Sequence, residues 1–555
     1  MASPGNKLPS MKIPSTRRAF LKSSTLAAGA GLTAPLWQSR LLAAAGGPPP
    51  NYGPAPQIPP GPFSASRASL SAYVAPEWYR DAKFGIFAHW GPQSAAEYGD
   101  WYARRMYVEG EAQYKHHLEH YGHPSKTGFV DVIKSWKADK FDADYLLGLY
   151  KKAGAKYFVS MGVHHDNFDM WNSKYQPRWN AAKSGPQKDI VGLFKKAAEK
   201  QGLRFGVSEH LSNSFCWYGT AHGSDKAGPL AGVPYDGQDP QWADLYHDYG
   251  PMPADFVKKV VTAPAKGSIA MSVEGPQSWR DNYFARILDV ITQYEPDLLY
   301  TDGGIPFGDA GLALVAHHYN TSARRNGGKV DAIYNSKSRA DAATGMCVLD
   351  VERGVVDGIW PRPWQTDTCV GNWHYDTRAR YKTPKSVVDM LVDIVSRNGN
   401  LLLNFPLPNN GMLDAKELAI LESITAWMAV NSEAIHSTRP WKIFGTGPGA
   451  DLKPVPGQQF NENSRKDFTA EEVRFTTKGN TLYAFFMGWP EKEIVVAPLA
   501  ASSPNVVGKI ENVALLGYPG KLDWKHDATG LTVQLPAQKP CEHGYALKIT
   551  GLATA

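Results

Sequence analysis

The chain has 555 residues, 43% hydrophobic and 20% charged: enough for more than one domain with a large core, and without an apolar run long enough to cross a bilayer as a helix. Its formal charge of +6 has a local origin, because residues 1–45 carry Lys7, Lys12, Arg17, Arg18, Lys22 and Arg40 and no acid. The remainder is formally neutral, which excludes the electrostatic footprint of a nucleic-acid binder.

In chain order, Ser15-Thr16-Arg17-Arg18-Ala19-Phe20-Leu21-Lys22 precedes a mildly apolar stretch from about Leu26 to Leu36, and Ala43-Ala44-Ala45 supplies small residues for cleavage. Residues 1–45 therefore resemble a twin-arginine export signal, which implies a periplasmic or secreted protein. Residues 46–72 are rich in Pro, Gly and Ser and predict an extended linker. From 73 to 440, short apolar runs alternate with amphipathic stretches. The runs are KFGIFAH (83–89), KYFVSMGV (156–163), RFGVSE (204–209), DLLYTDG (297–303), VDAIYN (330–335), CVLDVE (347–352) and NLLLNF (400–405). Between them FDADYLLGLYKKAGA, DIVGLFKKAAEKQG and NYFARILDVITQYEP repeat apolar residues at helical spacing. The alternation predicts a (β/α)8-like barrel; the rival, an open doubly wound sheet, lacks a Gly-rich phosphate loop after any strand. From 441 to 555 the texture changes to TLYAFFMGWP, EIVVAPL, NVALLG and LTVQLP, an all-β sandwich. Cys216, Cys347, Cys369 and Cys541 are spaced too irregularly for a zinc site or a disulfide framework.

Functional groups of a barrel gather where strands end. The first run ends at His89-Trp90-Gly91, and its loop carries Asp100-Trp101-Tyr102; the second ends at His164-His165-Asp166 and the third at Glu209-His210. DLLYTD ends at Asp302 and CVLDVE at Glu352. Singly, a histidine after a strand is a satisfied structural group, and Asp before Gly-Gly is a turn former. Jointly they imply a polar pocket, since leaving such groups buried and unpaired costs roughly 1–3 kcal/mol each. Trp90 and Trp101 add apolar faces, and the mixture suits a sugar. Glycoside cleavage with retention needs two carboxyl groups roughly 5–5.5 Å apart, one ionised and one protonated. Asp302 and Glu352 are carboxylates at two strand ends, and the histidines can donate to and accept from hydroxyls.

KFGIFAHWGPQS, GDWYARRMY, GAKYFVSMGVHHDNFDMWNSKY, GLRFGVSEH, YEPDLLYTDGG and NGNLLLNFPLPNNG resemble, in order and spacing over about 73–440, the landmarks of the α-L-fucosidases of glycoside hydrolase family 29. That resemblance implies a retaining double displacement on fucosylated glycans or oligosaccharides, with no metal or organic cofactor. It places the nucleophile on Asp302, fucose hydroxyl binding on His89, and the family's histidine pair on His164 and His165. Asp100-Trp101 stands where the family has Glu-Trp, a departure that shortens the acid. Ser208-Glu209-His210 stands where many members have Tyr-Tyr, so Glu209 enters as a sugar-site residue and a rival acid/base. Glu352 is preferred for that role because it ends a strand and precedes Trp364-Gln365-Thr366, similar to the family's segment downstream of its acid. Glu97, Asp100 and Asp166 are the remaining alternatives, and Trp373 in GNWHYD is expected to line the pocket.

Three other readings stay open at this level. A metal-dependent hydrolase would use His89, His164, His165, His210 and an Asp, although adjacent histidines do not easily ligate one ion from a regular strand. A non-catalytic sugar-binding barrel is the second. A glycosidase acting on a galactoside is the third, since that sugar differs mainly at C6.

Overall fold

The computed structural model describes residues 56–262, 275–450 and 461–554. The export-type segment 1–45 and the first part of the predicted linker, 46–55, lie outside the described residues. Strands β1 (Phe84–Ala88), β2 (Tyr157–Val163), β3 (Arg204–Glu209), β4 (Leu298–Thr301), β5 (Ile333–Ser336), β6 (Val348–Asp350), β7 (Trp364–Cys369) and β8 (Gly399–Asn404) form a closed barrel in chain order. Every neighbouring pair is parallel, and β1 closes on β8 from Phe84↔Leu401 to Phe87↔Asn404. Helices α1 (Ala143–Lys152), α2 (Ile190–Gln201), α3 (Gln277–Tyr294), α4 (Asp309–Arg325), α5 (Pro384–Ser396) and α6 (Ala415–Asn431) are among those that surround it.

Local chemistry sets the helix ends. Asp142 accepts from Tyr145 N and Asp189 from Gly192 N, each satisfying an otherwise free amide of the first turn. Gly202 ends α2 at φ 66°, a left-handed conformation that favours glycine. α1 buries Leu146, Leu147 and Tyr150, each such apolar side chain contributing about 1.5–3 kcal/mol.

Seven of the barrel strands overlap the predicted apolar runs, β5 and β8 each reaching one residue beyond them; β7 does not. Its residues Gln365, Thr366, Asp367 and Thr368 are all buried but polar, so hydropathy cannot mark them. Most of their polar atoms are paired inside the barrel wall: Gln365 Oε1 accepts from Tyr79 and Tyr157 hydroxyls at 3.1 and 3.0 Å, and its Nε2 donates to Asp350 Oδ2 at 2.7 Å, whereas Asp367 Oδ1 is buried without a protein partner. Gly85 leaves room for that tyrosine, because a Cβ there would meet the Tyr157 ring at 2.3 Å.

The stretch expected as an extended linker is docked from Phe63 onward. Phe63 N donates to Asn320 Oδ1 of α4, and Asn320 Nδ2 donates back to Phe63 O. Leu70 is fully buried, and Tyr73 stacks on Tyr319 with ring centres 4.2 Å apart. Apolar and aromatic residues spaced through the Pro-rich stretch provide the anchorage that its composition conceals.

Beyond the barrel, β9 (Arg439–Thr446), β10 (Val473–Lys478), β11 (Thr481–Phe486), β13 (Gly508–Leu515) and β16 (Tyr545–Leu552) form an antiparallel sheet in the order β13-β16-β11-β10-β9. β12 (Glu493–Val496), β15 (Gly530–Gln534) and β14 (Trp524–Asp527) form a second. Phe475 and Leu482 of the first share one apolar core with Val496, Leu531 and Val533 of the second. The domain is fastened to α5 by buried charge. Asp393 accepts from Arg474 Nε at 2.6 Å and from Arg397 Nε at 3.2 Å, and pairs with Arg465. Among the described helices none is long and apolar enough to cross a membrane.

Candidate active site

The carboxyl ends of the barrel strands open into a cavity of about 920 Å³. Asp302 follows β4, Lys337 follows β5, Glu352 lies two residues beyond β6, and Asp367 stands within β7. Lys337 Nζ is 2.5 Å from Asp302 Oδ1 and 2.5 Å from Glu352 Oε2. Those two oxygens are thus no farther apart than the two contacts laid end to end, a separation suited to a nucleophile and an acid facing one glycosidic bond.

The environments drive the two carboxyls apart. Burial raises the pKa of Asp302, but the Lys337 charge and the contacts from His210 and His165 outweigh it, holding the group well below the usual carboxylate range. His210 Nδ1 and His165 Nε2 lie 3.2 and 3.4 Å from Asp302 Oδ2. For Glu352, burial is again the largest influence; Lys337 pulls the other way, but Asp367 and Asp302 add repulsion, and the carboxyl is pushed up to about 7. One group is an anion at neutral pH and the other can hold a proton there.

His89, immediately after β1, lines the same cavity, as do His164, His165, His210 and His374. Gln93 Nε2 donates to His164 Nδ1 at 3.0 Å, leaving that ring's proton on Nε2, while His165 Nδ1 donates to His210 O at 2.6 Å. Burial, then the neighbouring rings, hold His89 and His164 well below the ordinary histidine value, so both are neutral donor–acceptors. His89 Nδ1, His374 Nδ1 and His210 Nε2 are buried without a protein hydrogen-bond partner, as expected of groups that take a polar ligand. Trp101, at φ 58°, and Trp373, whose ring is 4.9 Å from that of His89, supply apolar surface. Asp100 lines the cavity too, but its oxygens accept from His374 N at 2.6 Å and Trp373 N at 3.3 Å. It therefore holds the segment that presents both rings.

Several expectations are corrected here. Glu209 does not line the cavity. Its side chain leaves β3 on the side of α3, where Oε1 accepts from Tyr283 at 2.9 Å and Oε2 from Leu211 N at 3.0 Å. Alternation along the chain brings the next residue, His210, inward instead. The backbone oxygen of Glu209 accepts from Asp302 N, so its part is to brace the strand end. Trp90 is a core residue whose Nε1 donates to Pro408 O, not a sugar platform. Glu97 accepts from Asn409 N, and neither it nor the buried Asp166 lines the cavity.

Lys337, His374, Asp367 and Arg353 also line the cavity, although no expectation singled them out. The first had a signal: extending the VDAIYN strand by one residue, to Ser336, makes Lys337 its strand-end group. His374 adjoins the expected Trp373, and Asp367 was hidden with the whole of β7. Two groups could bring three ligand atoms within 4.8 Å of one another, His89/His164/His210 and His165/His210/Asp302. In the second, however, Asp302 already pairs with Lys337.

A barrel whose strand ends oppose an ionised and a protonatable carboxyl within a wall of imidazoles and indoles is built to cleave glycosides: the protein is a glycoside hydrolase. The α-L-fucosidase family profile matches residues 55–433 and the α-L-fucosidase C-terminal domain profile 465–550; the chain belongs to the α-L-fucosidase family. It is 24% identical over 510 residues to the human (Homo sapiens) tissue α-L-fucosidase, covering 89% of this chain and 93% of that one. With the human plasma α-L-fucosidase it shares 26% over 509 residues, 88% and 93% of the two. Its fold matches the Thermotoga maritima α-fucosidase solved in complex with fucose, with TM-score 0.64 and 22% identity, over 88% of this chain and 99% of that one.

Proposed function

We propose that the protein removes terminal α-L-fucosyl residues from glycans or oligosaccharides with retention of configuration, Asp302 acting as nucleophile and Glu352 as acid/base. Asp302 attacks the anomeric carbon while Glu352 gives its proton to the leaving oxygen. Glu352 then takes a proton from water, whose oxygen displaces the Asp302 carboxylate from the sugar. His89, His164, His165, His210 and His374 hold ring hydroxyls, and Trp101 and Trp373 cover the apolar face and the C6 methyl.

The observation that carries this reading is the meeting of Asp302 and Glu352 at one cavity wall with opposite protonation tendencies. The test is the anomer first released from an aryl α-L-fucoside, followed by NMR: α-L-fucose is expected, and β-L-fucose as first product contradicts it. In Glu352→Ala, turnover of substrates with poor leaving groups is lost and added azide restores rate on activated ones.

Residues 1–45 are proposed to direct twin-arginine export, on the strength of Arg17-Arg18 and the apolar stretch that follows. Replacing both arginines by lysine is then expected to retain the protein in the cytoplasm.

A further inference from the structure

Glu462, on the short segment Asn461–Ser464 that precedes β10, is buried although it comes from outside the barrel. Both of its carboxylate oxygens are engaged. Oε1 accepts from Arg353 Nε at 2.5 Å and from Lys382 Nζ at 3.2 Å, and Oε2 accepts from Thr368 Oγ1 at 2.7 Å. The backbone is stitched to the same place: Glu462 N donates to Arg353 O at 2.9 Å, and Val355 N donates to Asn461 Oδ1 at 3.1 Å. Arg353 directly follows Glu352, lines the catalytic cavity, and sits at φ 47°. A non-glycine residue in that region persists only where its surroundings hold it. Thr368, a further partner, directly follows Asp367.

We propose that Glu462 is a positioning residue for the reaction: it pins the Glu352–Arg353 turn and keeps the Arg353 guanidinium turned away from Glu352. The segment entering the C-terminal domain thereby completes the catalytic site without touching substrate, and the proposal rests on Glu352 being the acid/base. Burial raises the pKa of Glu462, but Lys382 and Arg353 more than offset it and hold the group below the ordinary carboxylate range, so it is charged at neutral pH. Without that charge the guanidinium, one residue from Glu352, favours the ionised form of the acid and strips the proton that a poor leaving group needs.

The test is Glu462→Gln in the full chain, with kcat/KM followed against pH on 4-nitrophenyl α-L-fucoside and on a fucosyl disaccharide. The expected result is a loss of about tenfold or more on the disaccharide and less than about threefold on the aryl fucoside, which needs little protonation. The basic limb of the profile should move to lower pH, and adding Arg353→Met should abolish that movement. Equal losses on both substrates, or an unmoved limb, overturn the proposal. Should the Gln variant not fold, Glu462→Asp keeps the charge but withdraws it, and must still lose disaccharide turnover selectively; an even loss counts against the idea. Glu352→Ala is run alongside. If it keeps disaccharide activity, the acid/base reading fails and this proposal with it. If it loses activity and is rescued by azide while Glu462→Gln behaves as wild type, only the positioning role fails.

Discussion

Asp302 and Glu352 are joined through a single ammonium group, with Lys337 Nζ 2.5 Å from an oxygen of each. The cation has opposite consequences for the two roles. It keeps the nucleophile ionised, and it opposes the burial and carboxylate repulsion that keep the acid protonated.

The first prediction is the shape of the pH profile. Glycosylation needs Glu352 protonated, so kcat/KM should fall as pH rises through about 7, the value to which burial pushes that carboxyl. On the acid side Asp302 stays charged well below the usual carboxylate range, and the acid limb should lie correspondingly low. A basic limb near the ordinary glutamate value would contradict the assignment.

Lys337→Gln should move both limbs upward. Removing the cation lets burial raise Asp302, and removes the main influence drawing Glu352 down. The rate should drop about 10- to 100-fold, as for loss of one well-placed electrostatic group. Profiles of the two proteins on a fucosyl disaccharide, whose leaving group needs the proton, measure this, and a shift toward acid contradicts it.

The two acids at the ends of β3 and β4, Glu209 and Asp302, should separate cleanly by mutation. Asp302→Ala should lose at least about a thousandfold in turnover while keeping its melting temperature. Glu209→Gln keeps an acceptor for Tyr283 and should remain within about tenfold of wild type without azide rescue. Rescue of the Glu209 variant together with an active Glu352→Ala would exchange their roles.

Chelation should leave turnover unchanged. An ion at His165, His210 and Asp302 would compete with the Lys337 ammonium for Asp302, and His165 already commits Nδ1 to a backbone oxygen. Activity lost on dialysis against EDTA and regained with zinc would revive the metal-hydrolase reading.

The apolar strands of the barrel, and with them His89, His164, His165 and Asp302, were legible because hydrocarbon runs announce buried parallel strands and the residue that follows each faces the mouth. β7 was not, because its buried residues are polar, Gln365 and Asp367 accepting hydrogen bonds from Tyr79, Tyr157 and Tyr300 that no local pattern reveals. Glu209 misled for a related reason: its position at a strand end was right, but whether a side chain faces cavity or helix depends on where the strand stops, and one residue reverses the answer. Glu462 could not have been singled out at all. Its meaning comes from Arg353 and Thr368, both about a hundred residues earlier in the chain.

The last prediction concerns the joint between the domains. Asp393 of α5 is fully buried and faces Arg397, Arg465 and Arg474, the last on β10. Burial works against its charge, but the three guanidiniums prevail and hold it below the ordinary carboxylate range. Its folded pKa is depressed, so its contribution is present above the unfolded value and is lost only as pH falls through the folded one, under strongly acidic conditions. Asp393→Asn leaves three cations facing each other in a buried site, and should cost about 3–5 kcal/mol in urea unfolding at neutral pH. Since the cluster ties the barrel to the C-terminal sheets, the variant should also split a shared unfolding transition in two, with the sheets melting first. Asp393 does not line the catalytic cavity, so the pH profile of kcat/KM should keep its limbs. A variant as stable as wild type would mean that the arginines find other partners, and that the remaining contacts across the joint, such as Trp427 Nε1 to Gly544 O, suffice to hold it.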